Sequence, residues 1–317
     1  MLKTSSKKHK RAVANGLRSQ LRGGGFRREV KMRLMNLCQM FTCVVCAGLS
    51  FWVCAAEPEP SELAAGNAHR AAIRMHRLQH LDERVNTAPE TLKANCRFES
   101  DIASHPPLHR VALTFDDGPE PVQTELILKV LAHYDIRATF FMIGEKAKRH
   151  PELVAEVLKS GHHLLGNHSW DHPNFHSIPV DAQAQEVRAG EAALGAALTR
   201  KLFRYPYGNS TCETNALLKT SGYQMVGWHV DSCDWAFDRS GTIDDKEALE
   251  CGVLAANKND YVGHVMSALR AHRGGIVLMH EIHPNTVAAL EAVIQSILAA
   301  GYSFGALDDE DFVPSLR

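Results

Sequence analysis

From residue 108 onward the chain alternates short apolar runs with longer segments whose apolar positions recur every three to four residues. The first run, residues 111–115, reads as a buried strand, and Gly118-Pro119 ends it. Residues 122–134 carry Leu126, Ile127, Val130 and Leu131 on one helical face. Residues 138–143 are again strand-like, and 151–160 form a helix with proline in its first turn and Gly161 at its end. The same logic predicts strands at 163–166, 202–205, 223–230, 276–279 and 302–305, and helices at 180–198, 213–221, 261–272 and 286–300. Strands alternating with helices in this way imply an α/β domain on a parallel sheet of about seven strands. With this many units a closed barrel is expected ahead of an open sheet, although periodicity does not separate the two.

Composition adds limits. At 317 residues and 45% apolar content the chain can bury a substantial core. A formal net charge of −1 gives no reason to expect a nucleic-acid partner. That balance is uneven, because residues 1–33 are rich in Lys and Arg against one acid, Glu29. An apolar stretch, 34–56, follows and ends in Cys54-Ala55-Ala56 before Glu57-Pro58, the layout of a secretory signal peptide cleaved near Ala56. The rival is an uncleaved membrane anchor. Met32 or Met35 would be a more ordinary start, leaving 1–31 without function. The expected organisation is a basic extension with signal or anchor over 1–56, a partly helical connector over 57–107, and the main domain over 108–317. Export to the periplasm, cell envelope or medium is the matching expectation. Beyond the leader remain Cys96, Cys212, Cys233 and Cys251, enough for two disulfides, with Cys233–Cys251 preferred because they bracket one loop.

Five segments carry candidate chemistry. Asp116 and Asp117 sit side by side at the end of the first strand, where two carboxylates repel each other and resist desolvation unless a cation or a proton-transfer role accounts for them. His168 and His172, four residues apart after another strand, can share a metal ion. One carboxylate with two imidazoles leaves positions open for water and substrate. Arg204, before Pro206, Tyr207 and Gly208, places a fixed cation beside exposed backbone N–H groups. Asp231, Asp234 and Trp235 cluster in one turn, where a buried Asp can orient a histidine elsewhere. His280 ends the apolar run that contains Leu278, repeating the placement of Asp116.

In this order and at these strand ends, the five segments resemble the five motifs of the NodB-homology polysaccharide deacetylases, carbohydrate esterase family four. The matching residues are 114–118; His168, Ser169 and His172; Arg204, Pro206, Tyr207 and Gly208; Asp231, Asp234 and Trp235; and Leu278 with His280. The resemblance implies a distorted (β/α) barrel and removal of acetyl groups from N-acetylated sugars, with peptidoglycan or chitin-type oligomers as substrate. It implies that Asp117, His168 and His172 hold Zn²⁺ or another divalent ion such as Co²⁺. It makes Asp116 the general base, paired with Arg204, and His280 the general acid, oriented by Asp231. The Tyr207 backbone N–H would stabilise the oxyanion, while Trp235 and Leu278 would wall the acetyl pocket. An O-acetyl esterase acting on acetylxylan, or an inactive carbohydrate-binding module, are the alternatives. Tyr205 departs from the proline common in the family at that position, and residues 236–275 form a long segment expected to shape substrate access.

Overall fold

A computed structural model describes residues 106–317. The leader, the connector helix and Cys96 lie outside the described residues. Every strand pairing is parallel. The central strand β1 (Arg110–Gly118) lies between β2 (Ala138–Met142) and β7 (Gly275–His280), and the sheet continues outward through β3 (Leu164–Asn167), β4 (Leu202–Phe203) and β5 (Gln224–Met225) on one side and β6 (Val230–Asp231) on the other. The last strand, β8 (Ser303–Phe304), pairs only with the start of β1, below the point where β2 begins to pair.

The strands are apolar on both faces because both faces are covered. Val111, Leu113 and Phe115 of β1, Phe140 and Met142 of β2 and Val277 and Met279 of β7 join the larger core. That core includes residues of α1 (Gln123–His133), α3 (Pro151–Lys159), α7 (Tyr261–His272) and α8 (Pro284–Ala299). The alternate residues Ala112, Phe141 and Ile276 form a smaller cluster with Leu164, Leu202, Val226, Leu307 and Phe312 on the concave side. Side chains alternate along a strand, so Thr114 and Asp116 continue the Ala112 face, and Leu278 and His280 continue the Ile276 face. The concave side is therefore an apolar plug at one end that turns polar at the C-terminal ends of the strands.

The barrel forms in distorted form, and the reason lies at 223–230. The sequence predicts one strand there; the structure has two short ones on opposite edges of the sheet. Val226 N–H donates to Phe203 O at 2.8 Å, and three residues later His229 N–H donates to Ile276 O at 2.9 Å. The segment thus bridges the two edges instead of extending either. The Arg204 side chain meets the bridge, donating from Nε to Val226 O (3.2 Å) and from Nη2 to Gly227 O (3.0 Å).

Other differences are local. A helix not predicted, α2 (Gly144–Arg149), follows β2, while α4 (Val180–Leu194) ends before the 3₁₀ turn Gly195–Ala197 and α5 (Cys212–Thr220) keeps its expected place. Within the long segment before α7 a further helix, α6 (Asp245–Cys251), forms, and Phe237, Ile243, Ala248 and Val253 enter the main core. Cys233 and Cys251 are joined by a disulfide, which ties the end of α6 to the turn after β6. No helix among the described residues is long and apolar enough to cross a membrane.

Candidate active site

Register places the first pair of acid–base groups. Asp116 on β1 lies opposite His280 on β7, and Thr114 lies opposite Leu278. On the other side, β1 pairs with β2 through Asp116↔Phe141 and then Gly118↔Met142, so the register slips by one residue at Asp117. Asp117 has φ 72°, which takes it out of strand geometry. Consecutive strand residues normally point to opposite faces; this bulge lets both acids reach one rim. Ser169, His172, Tyr207 and Cys233 also have φ near +60°, so the loops carrying the candidate residues share this uncommon backbone.

Asp116 is buried and bound to a buried cation. Arg204 Nη1 donates to Asp116 Oδ1 at 2.7 Å and to Thr114 Oγ1 at 2.8 Å. Its guanidinium carbon lies 4.2 Å from the centre of the Phe141 ring. Burial lowers the Arg204 pKa and outweighs the opposing charge and hydrogen bond of Asp116.

His168 and His172 follow β3 on a loop that is not helical. Asn167 Oδ1 accepts the Ser169 N–H at 3.0 Å, and Ser169 Oγ accepts the His172 N–H at 3.0 Å. These local bonds bring the two imidazole centres within 4.9 Å of each other. His168 Nδ1 lies 2.8 Å from Arg204 O. A carbonyl only accepts, so Nδ1 carries a proton and Nε2 is the nitrogen turned towards Asp117. Asp117 Oδ1 is 3.4 Å from His168 Nε2 and 3.2 Å from His172 Nε2. That oxygen is buried without a hydrogen-bond partner among the described residues. Burial pushes the Asp117 pKa up, but the neighbouring His168, with His280 and His172 adding to it, holds it well below the usual carboxylate range. His172 is lowered to about 4, first by burial and then by His168. A carboxylate oxygen and two imidazole nitrogens converging on one point form a donor set that suits a divalent cation with nitrogen and oxygen ligands.

His280 and its partner correct one expectation. The carboxylate on His280 belongs to Asp234, not Asp231. Asp234 Oδ1 is 2.7 Å from His280 Nδ1, and Oδ2 accepts the His280 backbone N–H at 2.6 Å and the Thr286 hydroxyl at 2.5 Å. Asp231 pairs with Leu278, two residues short of His280, and its Oδ1 accepts the Cys233 N–H at 2.9 Å. The turn after β6 then carries Asp234 over the end of β7. Burial lowers the His280 pKa, but Asp234, with Asp117 and Asp116 adding less, raises it to about 10. Asp234, which is fully buried, is held below its ordinary value by His280 and Thr286 against the opposing effect of burial.

Two aromatic side chains flank the rim. Tyr207 is 65% exposed, with its ring 4.7 Å from that of His172, and Trp235 is 42% exposed. Leu278 is buried between Thr114 and Asp231. The structure thus gathers all ten candidate residues around the C-terminal ends of the strands, with Asp231 the last residue of β6. Sequence reasoning missed Thr286 and gave the His280 contact to the wrong acid, although Asp234 stood three residues away.

Residues 103–226 match the family model described as polysaccharide deacetylase. The chain is 34% identical over 200 residues to a peptidoglycan-N-acetylglucosamine deacetylase of Bacillus cereus, covering 61% of this chain and 84% of that protein. This chain belongs to the polysaccharide deacetylase family. It is also 31% identical over 202 residues to the peptidoglycan-N-acetylglucosamine deacetylase PgdA of Listeria monocytogenes, across 63% of this chain and only 38% of that longer protein. Among solved structures it resembles a family 4 carbohydrate esterase from Streptomyces lividans in complex with acetate, at TM-score 0.52 and 29% identity, covering 63% of this chain and 93% of that one. The incomplete barrel is thus the family's fold.

Proposed function

We propose that this deacetylase-family protein is a metal-dependent hydrolase that removes N-acetyl groups from N-acetylglucosamine polymers, with peptidoglycan first and chitin-type oligomers next. The observation that carries the reading is a single rim holding a three-donor cation site between two separately partnered groups, Asp116 on Arg204 and His280 on Asp234. The relatives named as peptidoglycan deacetylases support the substrate class.

Asp117, His168 and His172 would hold the ion, for which Zn²⁺ is proposed, with Co²⁺ as the alternative. When bound, the ion would polarise the acetyl carbonyl and make water acidic enough to attack near neutral pH. Asp116 accepts the proton of the attacking water; Arg204 holds its Oδ1, so Oδ2, 3.7 Å from His168 Nε2, faces the cation site. The Tyr207 N–H, in the left-handed bend after Pro206, is the proposed donor to the oxyanion. An amine leaves poorly unless protonated, and His280, kept as an imidazolium by Asp234, supplies that proton. Trp235 and Leu278 wall the acetyl group. Export to an oxidising compartment belongs to the same proposal, supported by the Cys233–Cys251 disulfide and the apolar stretch at 34–56.

Acetate release from peptidoglycan, chitin oligomers and acetylxylan, with and without chelator, tests the reading. Chelator-sensitive release from the first two, with His280→Ala losing ~10²–10⁴-fold on amides and far less on esters, is expected. Release only from acetylxylan would favour the O-acetyl esterase. No release from any substrate by metal-loaded protein would leave a binding module.

A further inference from the structure

Glu281, next to His280, is completely buried and has no place in the chemistry above. Its backbone N–H donates to Asp116 O at 3.1 Å. Its side chain turns under the loop that follows Asp117, so closely that a Cβ on Gly118 would overlap the Glu281 carboxyl. Oε2 accepts the Thr124 hydroxyl, and Thr124 Oγ1 in turn accepts the Glu120 N–H at 2.8 Å. The other oxygen, Oε1, is buried without a hydrogen-bond partner among the described residues. Two further ties converge on the same loop: Ile143 N–H to Gly118 O at 2.8 Å, and Lys146 Nζ to Glu120 Oε2 at 3.0 Å.

We propose that Glu281 is a positioning residue for the cation site: wedged beneath Gly118 and tied through Thr124 to Glu120, it fixes the bulged loop that presents Asp117. The proposal rests on the reading that Asp117, His168 and His172 bind a divalent ion. Asp117 needs support of this kind, because it holds a left-handed backbone that a non-glycine residue leaves readily. Without a carboxyl under Gly118, the loop has a void into which it can relax, carrying the Asp117 oxygen away from His168 and His172. Shape and one acceptor oxygen are what the position requires. Burial, with Asp117 and Glu120 adding to it, raises the Glu281 pKa to about 8 against the pull of Thr124 and Lys146, so a neutral side chain suits the site.

Calorimetric titration of metal-free protein with Zn²⁺ or Co²⁺ tests this, beside acetate release at subsaturating and saturating metal. Glu281→Gln keeps the shape and the acceptor, so metal affinity and activity should stay close to those of the unsubstituted protein. Glu281→Ala should bind metal ~10–100-fold more weakly, the usual cost of losing a group that orients a ligand. Added metal should restore much of its activity, a response that a general loss of stability would not give. Thr124→Val, which removes only the hydroxyl that anchors Glu281, should weaken metal binding in the same direction and carries the test if the alanine variant does not fold. Unchanged metal affinity in folded Glu281→Ala or Thr124→Val overturns the proposal, and so does Glu281→Gln as damaged as Glu281→Ala. Failure of the unsubstituted protein to bind metal at all would instead overturn the reading of the cation site, and this proposal with it.

Discussion

Asp234→Asn removes a charge while keeping the shape that holds His280, so it isolates what the carboxylate does. His280 stands at about 10 because Asp234 outweighs burial; Asp117 and Asp116 contribute less. With Asn at 234, burial acts with little opposition and the His280 pKa returns to about 6.5 or lower. At pH 8 an imidazole of pKa about 6.5 is protonated in only roughly 3% of molecules. Amide turnover at pH 8 should therefore fall by at least ~30-fold, towards the ~10²–10⁴-fold expected for losing a general acid. Ester turnover should fall much less. A cation on Asp117 cancels part of the smaller contributions, so the alkaline limb of the loaded wild-type enzyme should lie somewhat below 10.

Stability should follow the same pair. The folded pKa of His280 is raised, so its contribution is complete below about pH 6.5 and is lost as pH rises through about 10. The folded pKa of Asp234 is lowered, so its contribution is present above about pH 4 and lost in stronger acid. Between these limits Asp234→Asn should cost about 3–5 kcal/mol, as breaking a buried pair does. The assays are pH profiles of acetate release on amide and ester substrates, with urea unfolding at pH 5, 8 and 10.5. Asp231→Asn, which keeps an acceptor for the Cys233 N–H, is the control and should retain most activity. Wild-type amide rates in Asp234→Asn at pH 8, or equal losses in Asp231→Asn, would refute the assignment.

Arg204→Lys cannot fork between Asp116, Thr114, Val226 O and Gly227 O; it should lower unfolding free energy by about 3–5 kcal/mol in urea melts and abolish most acetate release. His168→Ala should eliminate calorimetric metal binding while circular dichroism shows the fold retained. Cys251→Ser opens a bridge between residues 18 apart, which should cost about 3 kcal/mol in thermal unfolding. Because Cys233 adjoins Asp234, the same variant should also lose amide turnover, and dithiothreitol should reproduce both effects in the wild type. Trp235→Ala should raise KM for oligosaccharides more than it lowers kcat, as loss of an exposed aromatic wall would.

The difference between what the sequence revealed and what it hid is one of range. Asp116-Asp117, His168-x-x-x-His172 and the apolar strands before them are local patterns, and local patterns survive in a one-dimensional reading. The helix α6 was legible too and was missed: Asp244 caps it by accepting the Glu247 N–H, and Gly252 closes it in left-handed geometry. Choosing between Asp231 and Asp234 is different in kind. The two acids are three residues apart, and only the register of β6 on β7, which sets Asp231 against Leu278, shows that the earlier acid falls short of His280. The same holds for residues 223–230, whose apolar pattern fits one strand as well as two. What divides them is that one end satisfies β4 and the other β7, with Arg204 donating to the carbonyls between. Arg204 therefore ties down the segment that bridges the two sheet edges and holds Asp116 with one guanidinium. A conservative change at that position would disturb the seam of the sheet and the proposed base together, so the fold and the chemistry cannot be altered there independently.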